Sequence, residues 1–204
     1  MTAAMATAMA SGVGLDRRKV VAELLANRGD LLVVAGLGSP VWDCAAVGDH
    51  PLNFYLWGAM GSAITIGLGL ALAQPKRRVL VITGDGEMLM GLGALATVAV
   101  QKPENLAVVV LDNEHYAETG MQKTHTAFGV DIAAIAKAAG FPATMTVKDE
   151  SGLARLCQQV GGAPGPILGQ VKISAAHVPL VLPPRDGAYV KSRFRDALLG
   201  APNP

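Results

Sequence analysis

Three short stretches hold residue types that could do chemistry together. Thr83-Gly84-Asp85-Gly86-Glu87 sets a carboxylate between two glycines. After twenty-five intervening residues Gly86 is followed by Asp112-Asn113, and a polar run carrying His115, Tyr116, Lys123 and His125 follows it to Thr126. The Gly-Asp-Gly turn ends an apolar run, Val79 to Thr83, and precedes a helix-like one, so its backbone N–H groups stand where an anion is favoured. A carboxylate in the same turn repels that anion. Both can be present if a divalent cation lies between them, and Mg²⁺ takes one or two protein oxygens together with substrate phosphates. The second oxygen donor is expected from a neighbouring strand end, and Asn113 closes the run Leu106 to Leu111. Taken alone, Asp85 could equally cap the following helix. Together the residues point to a metal-bridged diphosphate site.

The elements that must position these groups alternate along the chain. Asp16 can cap a helix running through Asn27, and Leu31 to Ala35 is an apolar run short enough for a strand buried on both faces. Gly36-Leu37-Gly38-Ser39-Pro40 follows at once, but Val41 stands where a dinucleotide-binding turn needs its third glycine. Gly48 to Pro51 reads as a turn, Gly58 to Ala73 as an apolar helix, and Val79 to Thr83 as a second buried strand. Glu87 to Gln101 reads as one helix, apolar on nearly all sides and therefore sandwiched. Gly91 and Gly93 each weaken it by roughly 1 kcal/mol relative to Ala, which close approach to a neighbouring backbone would explain. After the strand Leu106 to Leu111, the polar stretch to Thr126 reads as loop. Helices from Asp131 to Ala139 and Ser151 to Val160 alternate with strands at Ala143 to Val147 and Ile167 to Ile173. Such alternation implies an α/β fold, an open parallel sheet with helices on both faces, whose ligands bind beyond the strand carboxyl ends. Gly36, Gly84 to Gly86 and Asn113 would all lie there. Residues 1–14 read as a flexible tail, 15–175 as the binding domain, and 176–204 as an extension with a short helix from Tyr189 to Leu199.

Composition narrows the function classes. With 17 basic and 16 acidic residues in 204, no basic stripe calls for nucleic acid or an anionic membrane. Cys44 and Cys157 form no CxxC pair, which argues against a disulfide framework or an iron–sulfur site and fits a reducing cytoplasm. Pro51 to Pro75 carries no charge, yet Asn53, Ser62, Thr65, Gln74 and four glycines interrupt it, so a buried helix is expected and not a membrane span. The Ala-rich first fourteen residues have no basic segment of the kind that begins a secretory signal.

Gly-Asp-Gly followed at this interval by Asp-Asn resembles the thiamine diphosphate signature, which usually ends in Asn-Asn. Trp57-Gly58-Ala59-Met60-Gly61 resembles the family segment that holds the aminopyrimidine ring. Tyr116 and Thr119-Gly120-x-Gln122 resemble the loop of two-subunit sulfopyruvate and phosphonopyruvate decarboxylases, and the likeness covers roughly residues 15 to 175. The resemblance implies thiamine diphosphate and Mg²⁺ as cofactors, with Asp85, Asn113 and the backbone carbonyl of His115 on the metal. It further implies cofactor contacts from Gly36, Gly38, Gly58, Ala59, Met60, Gly84, Gly86, Glu87 and Tyr116. Amides of Gly86 and Glu87 would meet the diphosphate, the Gly58 carbonyl the aminopyrimidine amine, and Met60 would wedge the cofactor into its bent shape. Three departures stand out: Asp112 replaces the first Asn, His115 a usual Gly, and Glu87 a residue that relatives often carry as Ser or Ala. The Glu87 carboxylate is therefore expected to turn away from the phosphates.

The family's essential glutamate comes from a separate pyrimidine-binding domain, and this chain reads as the diphosphate half alone. The resemblance thus implies a pyrimidine-binding α subunit as partner, an assembly of α₂β₂ or larger, and decarboxylation of a small 2-oxo acid. His115 and His125 are the candidates to face that substrate. A carboligase or lyase subunit using the same cofactor, or a non-catalytic cofactor-binding module, stays open at this point.

Overall fold

A computed structural model describes residues 14–200, so the tail expected over residues 1–14 lies almost wholly outside the described residues. Its elements are α1 (Arg17–Leu25), β1 (Leu32–Ala35), α2 (Ser39–Val47), β2 (Asn53–Tyr55), α3 (Ala63–Ala73), β3 (Val79–Gly84) and α4 (Asp85–Met90). There follow α5 (Ala94–Gln101), β4 (Leu106–Asp112), β5 (His115–Tyr116), β6 (Gln122–Lys123), a 3₁₀ turn (His125–Phe128) and α6 (Ile132–Ala139). The chain continues through β7 (Ala143–Val147), α7 (Glu150–Gly162), β8 (Ile167–Lys172) and α8 (Gly187–Leu199).

Six strands form one parallel sheet in the order β2-β1-β3-β4-β8-β7, while β5 and β6 pair as a small antiparallel hairpin. Alternate residues of a central strand feed opposite cores, as the period of two requires. Val79 and Val81 of β3 pack with α3, α5 and α6, while Leu80 and Ile82 pack on the other face with α1, α2 and α7. Both faces are covered, hence the all-apolar strands. Four helices begin at an aspartate whose carboxylate accepts first-turn N–H groups: Asp16, Asp131, Asp149 and Asp186.

The structure corrects the sequence reading in several places. Helix α3 starts at Ala63 and not at Gly58, because Ala59 (φ 58°) and Gly61 (φ 91°) leave helical geometry. The single helix expected from Glu87 to Gln101 is two, α4 and α5, broken around Gly91. A β-carbon on Gly91 would lie 2.1 Å from the Gly61 carbonyl oxygen, so the expected close approach occurs there. Gly93 meets nothing within 4 Å. Nor is α5 sandwiched: Leu95 and Val98 are buried, whereas Val100 is 76% exposed. The stretch read as loop after Asn113 contains the β5–β6 hairpin, and β2 and α2 had no counterpart in the sequence reading. The C-terminal helix is docked, with Phe194 edge-on to Phe54 at 5.5 Å and Arg193 paired to Asp49 at 2.6 Å.

Candidate cofactor and metal site

Strand β3 runs straight into α4, so Asp85 occupies the first helical position with its carboxyl 2% exposed. Its Oδ2 accepts a hydrogen bond from the hydroxyl of Thr124, and the Thr126 hydroxyl lies 3.2 Å away with its one proton shared with Asp112. Burial pushes this carboxyl up to about 6; the two threonines oppose the shift and neighbouring Asp112 adds to it. No cationic side chain is paired with it among the described residues. A buried carboxylate in that position gains by meeting a cation.

One strand over, Asp112 and Asn113 shape the next turn. Asp112 Oδ1 accepts the Glu114 N–H at 3.0 Å, and Asn113 Oδ1 accepts the His115 N–H at 3.0 Å. These two consecutive side-chain turns accompany a left-handed Glu114 (φ 64°) and fix where the His115 carbonyl stands. The His115 ring donates from Nδ1 to the Asn113 carbonyl at 2.7 Å, which locks its orientation. Asp112 itself is wholly buried and fully occupied. Its Oδ2 accepts from Lys172 Nζ at 2.8 Å and Gln170 Nε2 at 2.6 Å, and its Oδ1 from Thr126 at 2.7 Å. The residue that departs from the usual Asn-Asn pair is a brace between β4 and β8.

Asp85 and Asn113 open into one cavity of about 350 Å³ at the carboxyl ends of the strands. Met60, Gly84, Gly86, Glu87, His115 and Tyr116 also line it. The Tyr116 ring lies over Gly86, where a β-carbon would come within 2.4 Å of it. Gly36, Gly38, Gly58 and Ala59 are not on the wall. Gly36 sits behind the Glu87 carboxylate and Gly38 beneath that of Glu118. His125 is exposed on the 3₁₀ turn and is not brought to the cavity. The Glu87 carboxylate is buried and accepts from Thr83 Oγ1 at 2.8 Å, and burial raises its pKa.

Sequence reasoning missed Leu37, Ser39, Pro40, Met90 and Glu118 on the wall, and the threonines behind Asp85. Ser39-Pro40 carried a usable signal, since a proline in the first turn marks a helix start. Glu118 and the threonines are placed by the hairpin, which has no local signature.

The residues present fit a magnesium diphosphate. One carboxylate, one amide oxygen and one backbone carbonyl are hard oxygen donors, too few for a closed cage and suited to an ion that keeps water and phosphate ligands. Among the described residues no three His, Cys, Asp or Glu side chains converge as a metal cluster. The cavity volume lies in the range of small-molecule sites.

A parallel α/β sheet with an acidic turn and an amide-bearing strand end opening on one cavity defines a diphosphate-binding module. The family described as "Thiamine pyrophosphate enzyme, C-terminal TPP binding domain" matches residues 39–171, and the chain belongs to it. Within that family the chain is 36% identical to sulfopyruvate decarboxylase subunit beta of Methanothermobacter thermautotrophicus, over 92% of this chain and 97% of that one. It is 40% identical to the same subunit of Methanocaldococcus jannaschii, over 64% and 69%. Phosphonopyruvate decarboxylase of Streptomyces viridochromogenes is 38% identical over 81% of this chain, which spans only 42% of that longer protein. In fold, benzoylformate decarboxylase from Polynucleobacter necessarius superposes with a TM-score of 0.66 at 21% identity, covering 81% of this chain and 34% of that one. No helix among the described residues is long and apolar enough to cross a membrane.

Proposed function

We propose that the chain is the thiamine diphosphate- and Mg²⁺-binding subunit of a cytoplasmic, heteromeric 2-oxo acid decarboxylase, active only with a pyrimidine-binding partner chain. The observation that carries this reading is the shared cavity of Asp85 and Asn113, two strand ends apart in sequence and joined in space. Asp85, Asn113 and the His115 carbonyl would hold the ion; the amides of Gly86 and Glu87 would receive the diphosphate. Met60, on the wall, would orient the aminopyrimidine. When bound, thiamine diphosphate supplies the electron sink for loss of carbon dioxide from a 2-oxo acid. The His115 ring, on the wall and held by the Asn113 carbonyl, is the substrate-side candidate of this chain.

The relatives named sulfopyruvate and phosphonopyruvate decarboxylase support a small acidic 2-oxo acid as substrate, and the beta-subunit relatives support an α partner. The test is co-purification with the partner, followed by carbon dioxide release over a panel of 2-oxo acids with and without Mg²⁺ and an aldehyde acceptor. Metal-dependent release by the complex and none by the isolated chain is the expected result. Release by the isolated chain overturns the partner requirement, and products formed only with the aldehyde identify a carboligase.

A further inference from the structure

Ser39 is the half-buried first residue of α2 and stands on the cavity wall. Its Oγ accepts a hydrogen bond from Nη1 of Arg17, a residue of α1 that is itself only 8% exposed. The same guanidinium meets α2 a second time: its Nε lies 3.3 Å from Oδ2 of Asp43, which is wholly buried. Arg18 Nε reaches the other oxygen of Asp43 at 3.4 Å, while its Nη2 donates to the Pro179 carbonyl and not to Ser39. Asp43 thus offsets the Arg17 charge and holds the fork in place, with one arm left for the serine. A serine hydroxyl has one proton and two acceptor positions, and a guanidinium only donates. With Arg17 on one lone pair the Ser39 proton must turn elsewhere, and among the described residues it has no acceptor. The carboxyl of Glu118 lies over Gly38, one residue back, yet no hydrogen bond joins it to Ser39. Topology sets the location. Ala35 of β1 pairs with Ile82 of β3, so the β1–α2 turn flanks the Asp85 turn on the side away from β4 and Asn113.

We propose that Arg17 is a positioning residue that makes the Ser39 hydroxyl a fixed donor for an anionic oxygen bound in the cavity. This rests on reading the cavity as a thiamine diphosphate site, where such an oxygen belongs to the diphosphate or to the acid group of a sulfonate or phosphonate 2-oxo acid. Arg17 is not itself on the wall; it acts through the serine.

The test uses the chain assembled with its partner and calorimetric affinities for two probes. Inorganic pyrophosphate with Mg²⁺ stands for the cofactor's oxygens. Phosphonoacetate, added to the complex saturated with thiamine diphosphate and Mg²⁺, stands for those of the substrate. Ser39→Ala is expected to weaken one probe about tenfold or more, as loss of a hydrogen bond to a charged group does, and to leave the other within about twofold. The probe that weakens identifies the source of the anion. Arg17→Met should weaken the same probe about fivefold, and the double variant should bind it within about twofold of Ser39→Ala, because Arg17 acts only through the serine. Arg18→Met removes the other arginine on Asp43 without touching Ser39; it should lower the thermal midpoint and leave both probes within about twofold. No loss with Ser39→Ala, equal losses for both probes, losses that multiply in the double variant, or an Arg18→Met loss equal to that of Arg17→Met overturns the proposal. If the wild-type complex binds no thiamine diphosphate, the reading of the cavity fails, and both probes titrated with Mg²⁺ alone still decide the Arg17–Ser39 pair; binding of neither overturns it. Should Arg17→Met not fold, Arg17→Lys takes its place with the same expectations, since it keeps a charge for Asp43 and lacks the fork that reaches Ser39 as well.

Discussion

Two buried aspartates stand at neighbouring strand ends with opposite surroundings. Asp112 ends β4 with every oxygen spoken for, by a lysine, a glutamine amide, a threonine and a backbone N–H. Asp85 follows β3 with the Thr124 hydroxyl and a Thr126 proton shared with Asp112 on one oxygen, and no cation among the described residues, its pKa raised to about 6 by burial. The first is an internal structural joint; the second is a group left poor in positive charge that faces a cavity. Burial alone does not mark a functional acid. The ratio of partners to oxygens does, because an undercompensated buried charge is costly until a ligand arrives.

That contrast can be broken from either side. The largest effect is expected from Asp85→Ala, which should reduce Mg²⁺-dependent binding of thiamine diphosphate by calorimetry more than a hundredfold, roughly 3 kcal/mol or more. Because this variant removes a desolvated carboxyl, its thermal midpoint should hold or rise. Asp112→Ala should do the reverse. Losing one partner of a buried ion pair costs about 3 kcal/mol, roughly 6–12 °C in the midpoint of a domain this size. Cofactor affinity measured well below that midpoint should fall far less than for Asp85→Ala. Thr126 bonds both acids, so Thr126→Val should cost about 1–2 kcal/mol and weaken metal binding a few-fold, sharpening the link between the two regions. Smallest of all, His125→Ala should leave stability and metal binding within error, as its exposed ring lies off the cavity. A tenfold loss there would mean that the hairpin reaches the site by another route.

How much of this was legible in the chain follows from range. The apolar runs that became β1, β3, β4 and β8 announce themselves because a parallel strand is buried on both faces. The interval from Asp85 to Asn113 carries the site because one helical crossover, here α4 and α5, must fit between two adjacent strands. Three-residue β2 was too short to show a period, and α2 hid behind Gly38, where dinucleotide-like glycines drew attention from Ser39-Pro40. The break at Gly91 was half visible: glycine signalled close approach, but only the fold names Gly61 as what approaches. Thr124 and Thr126 carry no local sign of their role. Their hydroxyls matter only because the hairpin folds back onto residues some forty positions earlier.

The cavity wall has a consequence for kinetics. Among the described residues it presents two carboxyls, Asp85 and Glu118, with that of Glu87 buried against Thr83 behind them, and neither a lysine nor an arginine. A phosphorylated molecule diffusing in alone therefore climbs a local hill of like charge, and dissolved salt flattens that hill. Capture is expected to quicken with rising ionic strength in stopped-flow traces, and to quicken again when the dication is premixed with the incoming molecule.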